Sequence, residues 1–114
     1  IVSDQIGCPT YAQDIAKAIK IILPQLNKNS VQGVYHFCGD QSSTWYEFAT
    51  LIFEVASEKG HKIPKFLSAI KTSEFPTSAQ RPKYSVLDCG KIATIFGVTS
   101  SNWKKSISYI LGKM

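Results

Sequence analysis

Apolar residues fall at helical spacing in three stretches of the chain, separated by segments where that spacing breaks. Tyr11, Ile15, Ala18, Ile19 and Ile22 form one stripe, with Asp14, Lys17 and Lys20 off it, and predict a helix. Thr10 and Gln13 have the spacing of a capping box at its start. Pro24 has no amide proton and should end it near Leu23. A second helix carries Phe48, Ile52, Val55 and Ala56, opened by Thr44 with Glu47 and stopped at Gly60, where glycine tolerates a left-handed backbone. Asp88 should cap a short helix ending at Gly97. Ser101 or Asn102 opens the last one, with Trp103, Ile107, Ile110 and Leu111 as its buried stripe.

The segments between read as strands and loops. Ile1 to Asp4 has the look of a strand end, followed by a turn at Gly7-Cys8-Pro9. Val34 to Phe37 predicts a short buried strand, entered through Gly33 and left through Gly39-Asp40. Ile63 to Ile70 suits an edge strand, because Pro64 disfavours a central one. Lys71 to Tyr84 reads as an extended loop held by Pro76 and Pro82, since proline biases the residue before it toward extended geometry. Loops of that length are often functional. Strands alternating with helices imply an α/β fold. The two best strands, joined through one helix, are expected to pair in parallel with a right-handed crossover. The expected architecture is a small mixed or parallel sheet with helices, in a single domain over residues 1–114.

Composition narrows the function classes. The 114 residues are 44% apolar and 18% charged, a globular balance, and a chain of this size should bury roughly two-thirds of its unfolded surface. No apolar run approaches the roughly 20 residues of a membrane span, and no signal-peptide pattern opens the chain. Ile1-Val2 looks like a strand already under way, so a piece of a longer chain is expected. The net charge is +5, but Arg81 is the sole arginine and the lysines are dispersed. Base readout favours arginine forks, so no nucleic-acid partner is expected, and the lysines are better suited to drawing in an anionic ligand. Cys8, Cys38 and Cys89 form no CxxC pair, and each reads as a small buried apolar residue. Free thiols fit a reducing cytoplasm. His36 should pack at a strand end and His61 lie in a solvated loop. No metal site is expected.

Four segments carry a resemblance. They are Val2-Ser3-Asp4-Gln5-Ile6-Gly7-Cys8-Pro9-Thr10-Tyr11, Gly33-Val34-Tyr35-His36-Phe37, Ser43-Thr44-Trp45-Tyr46-Glu47-Phe48-Ala49, and the run from Phe75 through Arg81-Pro82 to Asp88. In order and separation they resemble the C-terminal part of the dTDP-4-dehydrorhamnose reductase family, within the extended short-chain dehydrogenase/reductases. Cys8 stands where that family more often has Ser, and Gln80 where Lys is common. The resemblance implies the substrate-binding portion of a Rossmann-type enzyme. Such an enzyme transfers hydride from NADPH, or less often NADH, to the C4 ketone of dTDP-4-dehydro-L-rhamnose.

Several expectations follow from that resemblance. The dinucleotide-binding half should precede this segment, because the seven glycines here include no GxGxxG or GxxGxxG spacing of the kind that lets a backbone approach a pyrophosphate. No cofactor is expected to bind this stretch alone. The family's catalytic Tyr-x-x-x-Lys also belongs upstream, and Tyr109 with Lys113 matches it by coincidence, so no catalytic residue is assigned here. The substrate-binding residues implied are Arg81, whose guanidinium can take pyrophosphate oxygens in a planar fork, and Gln5, facing the substrate. The plain alternative for Arg81 is a surface residue on a loop pinned by Pro82. Trp45 and Tyr46 suit a core or a domain contact better than a base-stacking platform. Expected partners are a nucleotide sugar, the dinucleotide-binding half and, in some family members, a second subunit of a homodimer. The competing functions are a related sugar-nucleotide epimerase or dehydratase and a non-catalytic regulatory subunit of the same fold.

Overall fold

Helices carry most of the architecture, and a computed structural model describes it over residues 1–114. They are α1 (Ala12–Ile22), prolonged by a 3-10 turn at Leu23–Gln25, α2 (Trp45–Glu58), α3 (Gly90–Phe96) and α4 (Trp103–Lys113). The local chemistry explains most of their ends. Thr44 and Glu47 form the expected capping box on α2. The side chain of Asn102 accepts from the Lys105 amide at 3.0 Å to open α4. Gly97 adopts φ +68° at the end of α3, and Gly60 adopts φ +78° just past α2, a region that costs glycine little.

The start of α1 departs from expectation. Its N-cap is Tyr11, without a side-chain cap. The Thr10 hydroxyl donates instead to the Cys8 carbonyl at 3.0 Å and accepts from the Gly39 amide at 3.2 Å. That tertiary bond outcompetes the local box.

The sheet also differs. Strand β1 (Ile6–Gly7) pairs antiparallel with β2 (Ser43–Thr44), placing Ile6 opposite Thr44. On its other side the N-terminal segment makes two parallel bridges, Val2 with Ile70 and Ile6 with Tyr84. The pairing is therefore mixed. The proposed edge strand at Ile63 to Ile70 shrinks to the Ile70 bridge. Val34 to Phe37 forms no strand and makes no backbone–backbone hydrogen bond. Its residue types favour strand, but no other segment of the chain runs alongside it. The expected parallel pair between the first two strands is accordingly not formed.

Two hydrophobic clusters hold the helices. Ala18 of α1 packs with Ile92 and Phe96 of α3 and with Val98, flanked by Tyr35 and Phe37. Val55 of α2 packs with Trp103 and Ile107 of α4, flanked by Phe48 and Leu111. Trp103 meets Phe48 edge-on at 5.5 Å and donates its indole N–H to the Gln41 carbonyl at 2.8 Å. Ile110, expected in the α4 stripe, is exposed. His36 is exposed rather than packed, and His61 is partly buried with Nε2 3.3 Å from the Leu111 carbonyl.

The arrangement is open. The radius of gyration is 17.1 Å, against about 13 Å for a compact domain of this length. Ile15, Ile19 and Leu23 leave one face of α1 exposed, and Val34 is 72% exposed. No helix is long and apolar enough to cross a membrane.

Candidate functional site

A cleft of about 530 Å³ opens where β1, the start of α2 and the Arg81-Pro82 loop meet. Its floor is the run from Gln5 to Thr10. One wall is Ser43, Thr44, Trp45 and Phe48, and the other is Arg81, Pro82 and Ser85. Three segments far apart in sequence are joined by the pairing of Ile6 with Thr44 on one side and Tyr84 on the other. The Ile6 amide donates to the Lys83 carbonyl at 2.8 Å, and the Ser85 amide donates to the Ile6 carbonyl at 2.9 Å. These bonds fix the Arg81 loop against the floor.

Both residues singled out from the sequence line this cleft. Gln5 is partly buried, and its Nε2 donates to Thr72 Oγ1 at 3.1 Å. Beside it, Asp4 Oδ1 accepts from the Thr72 amide at 2.8 Å and its hydroxyl at 2.7 Å. The Thr72 hydroxyl, opposed by slight desolvation, holds the Asp4 carboxyl below its usual range. Asp4 and Gln5 thus clamp the turn at the start of the Phe75 loop. Arg81 is exposed and takes no part in the chain's one ion pair, Lys17 with Asp14. Its guanidinium is free to meet an anion.

The wall at the start of α2 adds an aromatic side chain to the cleft. Trp45 is 59% exposed at the cleft margin, so its indole lies outside the core of this chain. Thr44 and Glu47 exchange hydrogen bonds, the Thr44 amide donating to Glu47 Oε2 at 2.8 Å and the Glu47 amide to Thr44 Oγ1 at 3.1 Å. The Thr44 amide chiefly keeps the Glu47 carboxyl ionised to lower pH than usual. The capping-box spacing marks this helix start, but nothing local places it opposite Arg81.

The set is a cation, a flat indole face and several hydroxyl and amide groups, without a His or a free carboxylate positioned for proton transfer. It suits binding of an anion attached to a ring. A dinucleotide fits less well. The seven glycines show no GxGxxG or GxxGxxG spacing ahead of a helix, the pattern that lets a backbone approach a pyrophosphate. Tyr109 and Lys113 lie on the last helix, the ammonium 4.2 Å from the ring centroid, and neither lines the cleft. No three His, Cys, Asp or Glu side chains gather to hold a metal ion.

Known proteins align with the whole chain. The RmlD substrate binding domain family matches residues 1–114. A dTDP-4-dehydrorhamnose reductase of Aggregatibacter actinomycetemcomitans is 40% identical over 117 residues, covering 96% of this chain and 38% of the relative. The Escherichia coli K12 protein of the same name is 33% identical over 116 residues, covering 100% of this chain and 39% of the relative. The crystal structure of the Bacillus anthracis reductase in complex with NADP superposes with a TM-score of 0.79 at 30% identity, covering 100% of this chain and 37% of that one. The Clostridium acetobutylicum reductase gives 0.77 at 31% identity, covering 100% and 38%. This chain spans less than two-fifths of these relatives. With one family model matched from end to end, the chain belongs to the RmlD substrate binding domain family.

Proposed function

We propose that this chain binds the nucleotide-sugar substrate of a dTDP-4-dehydrorhamnose reductase, which reduces the C4 ketone with NADPH or NADH to give dTDP-L-rhamnose. The observation that carries the reading is the convergence of Arg81, Gln5 and the Trp45 indole on one cleft. Arg81 takes the pyrophosphate, since a guanidinium fork matches its oxygens. Gln5 faces the sugar with the atoms that its bond to Thr72 leaves free. The exposed indole offers an aromatic face to the thymine.

The reduced nicotinamide and the catalytic Tyr/Lys pair come from a dinucleotide-binding half. The exposed face of α1 and the Val34 to Phe37 segment suit that partner: the first presents apolar side chains, the second a backbone paired with no strand of this chain. The enzyme works in the cytoplasm, a compartment that keeps thiols such as its three free cysteines reduced.

Titration of the 114-residue chain with thymidine diphosphate, followed by amide and side-chain NMR, tests the reading. Resonances of Gln5, Trp45, Arg81 and Ser85 should shift together. Shifts confined to lysines elsewhere, or none at millimolar nucleotide, would refute it.

A further inference from the structure

Cys38 and Cys89 are 51 residues apart in sequence, yet their sulfurs lie 3.6 Å from one another. Cys38 is only 5% exposed. Burial, reinforced by the hydrogen bond with Cys89, pushes its thiol up to about 12. Cys89, the N-cap of α3, is partly open to solvent. The Cys8 thiol is engaged by the Gly39 and Gln41 carbonyls, each at 3.0 Å. The pair therefore has one accessible member and one sheltered member in reach of it. We propose that Cys38 and Cys89 form a reversible disulfide when the protein meets hydrogen peroxide, and that closing it shifts the floor of the cleft at Cys8 and Thr10.

The chemistry balances with one peroxide. The Cys89 thiolate attacks a peroxide oxygen, the O–O bond breaks, and the departing hydroxide takes a proton to leave as water. Cys89 is then a sulfenic acid. The Cys38 sulfur attacks the Cys89 sulfur, the S–O bond breaks, and the Cys38 proton leaves with the hydroxide as a second water. Two thiols have lost two electrons and two protons, and the peroxide has become two waters. A dithiol reductant reverses the step.

Coupling to the cleft runs through Gly39. A disulfide bond measures about 2.05 Å, so the sulfurs must close and the Cys38 backbone is drawn toward α3. The adjoining Gly39 donates its amide to Thr10 Oγ1 at 3.2 Å and accepts from the Cys8 thiol. Thr10 and Cys8 both line the cleft. Gly39 has no slack, since even a methyl group there would strike the Pro9 carbonyl and the Trp103 ring. Its displacement is passed to the residues bonded to it.

The test treats the reduced 114-residue chain with hydrogen peroxide, alkylates the remaining thiols and maps the peptides. The expected product has lost the mass of two hydrogen atoms, carries a Cys38–Cys89 cross-link, and leaves Cys8 as the only alkylated thiol. Cys8→Ser should keep the cross-link. The amide resonances of Cys8 and Thr10 should move on oxidation and return with dithiothreitol. Three alkylated thiols, a cross-link through Cys8, or Cys89 advancing to the sulfinate in the wild-type chain would overturn the disulfide. A mapped disulfide with unmoved Cys8 and Thr10 resonances would overturn the coupling.

Discussion

Gly39 and Trp103 are in contact so close that a Cβ on the glycine would come within 2.8 Å of the indole Cδ1, besides overlapping the Pro9 carbonyl oxygen. Backbone on one side and a buried ring on the other leave no flexible group to give way. Gly39→Ala should therefore destabilise the fold by about 1–3 kcal/mol, the usual range for overpacking. Urea unfolding should show a lower midpoint. An unchanged midpoint would mean the loop relaxes freely.

Trp103 anchors the α2–α4 cluster by packing and by its N–H to the Gln41 carbonyl. Trp103→Phe keeps a ring against Phe48 but leaves the Gln41 carbonyl with only the weak donor of the Cys8 thiol. The expected cost is about 0.5–1.5 kcal/mol for the lost hydrogen bond, plus a contribution from the smaller ring. Thermal unfolding of the variant measures it.

The cap on α2 makes stability depend on acidity. The Glu47 carboxyl is held below its ordinary 4.5 in the folded chain. Its contribution is therefore complete above that pH and is lost as pH falls through the folded value. Asp4 and Asp14 are shifted the same way. The denaturation midpoint should decline below about pH 4.5, and Glu47→Gln should flatten part of that decline. Thr44→Ala, which removes the reciprocal bond, should cost about 1 kcal/mol at neutral pH.

If the segment serves the reductase proposed above, Arg81→Ala in the whole enzyme should raise KM for the nucleotide sugar far more than it lowers kcat. A pyrophosphate remote from the C4 ketone is held about equally in the ground and transition states, so its loss appears in KM. A charge-assisted contact contributes roughly 1.5–3 kcal/mol, equivalent to about a 10- to 150-fold effect. Arg81→Lys should recover only part of it, because an ammonium lacks the fork. Thermal stability should not change, since Arg81 is exposed and outside the chain's one ion pair. Wild-type values of both constants would remove Arg81 from the site.

Calorimetry of the 114-residue chain with NADPH should give no measurable heat of binding, because its seven glycines show no GxGxxG or GxxGxxG spacing. Micromolar affinity would show a dinucleotide site of another kind.

Local signals located most of the helices. Thr44 with Glu47, Asn102, Gly60 and Gly97 each mark an end through bonds that span only a few residues. The failures involve partners distant in sequence. Thr10 has capping spacing, but its hydroxyl is claimed by Gly39, 29 residues away. Val34 to Phe37 has strand composition and no neighbour to pair with, a condition that composition cannot reveal. Gln5 and Arg81 were reached through motif resemblance, whereas their meeting in one cleft depends on Ile6 bonding to both Lys83 and Ser85. Trp45 at a helix start suits a core or a domain contact, and its exposure rules out only the core. Cys38 and Cys89 show no spacing that predicts their approach.

The two hydrophobic clusters have no residue in common. One joins α1 to α3, the other α2 to α4, and each can melt with its own cooperativity, as locally stabilised units do. The cleft draws on both: Cys8 and Thr10 lead into α1, while Thr44, Trp45 and Phe48 begin α2. A molecule seated there acts as a staple across the seam, raising the cost of opening either unit alone. Occupancy should bring two staggered melting steps toward one, so that the binding site also sets how far the two units unfold together.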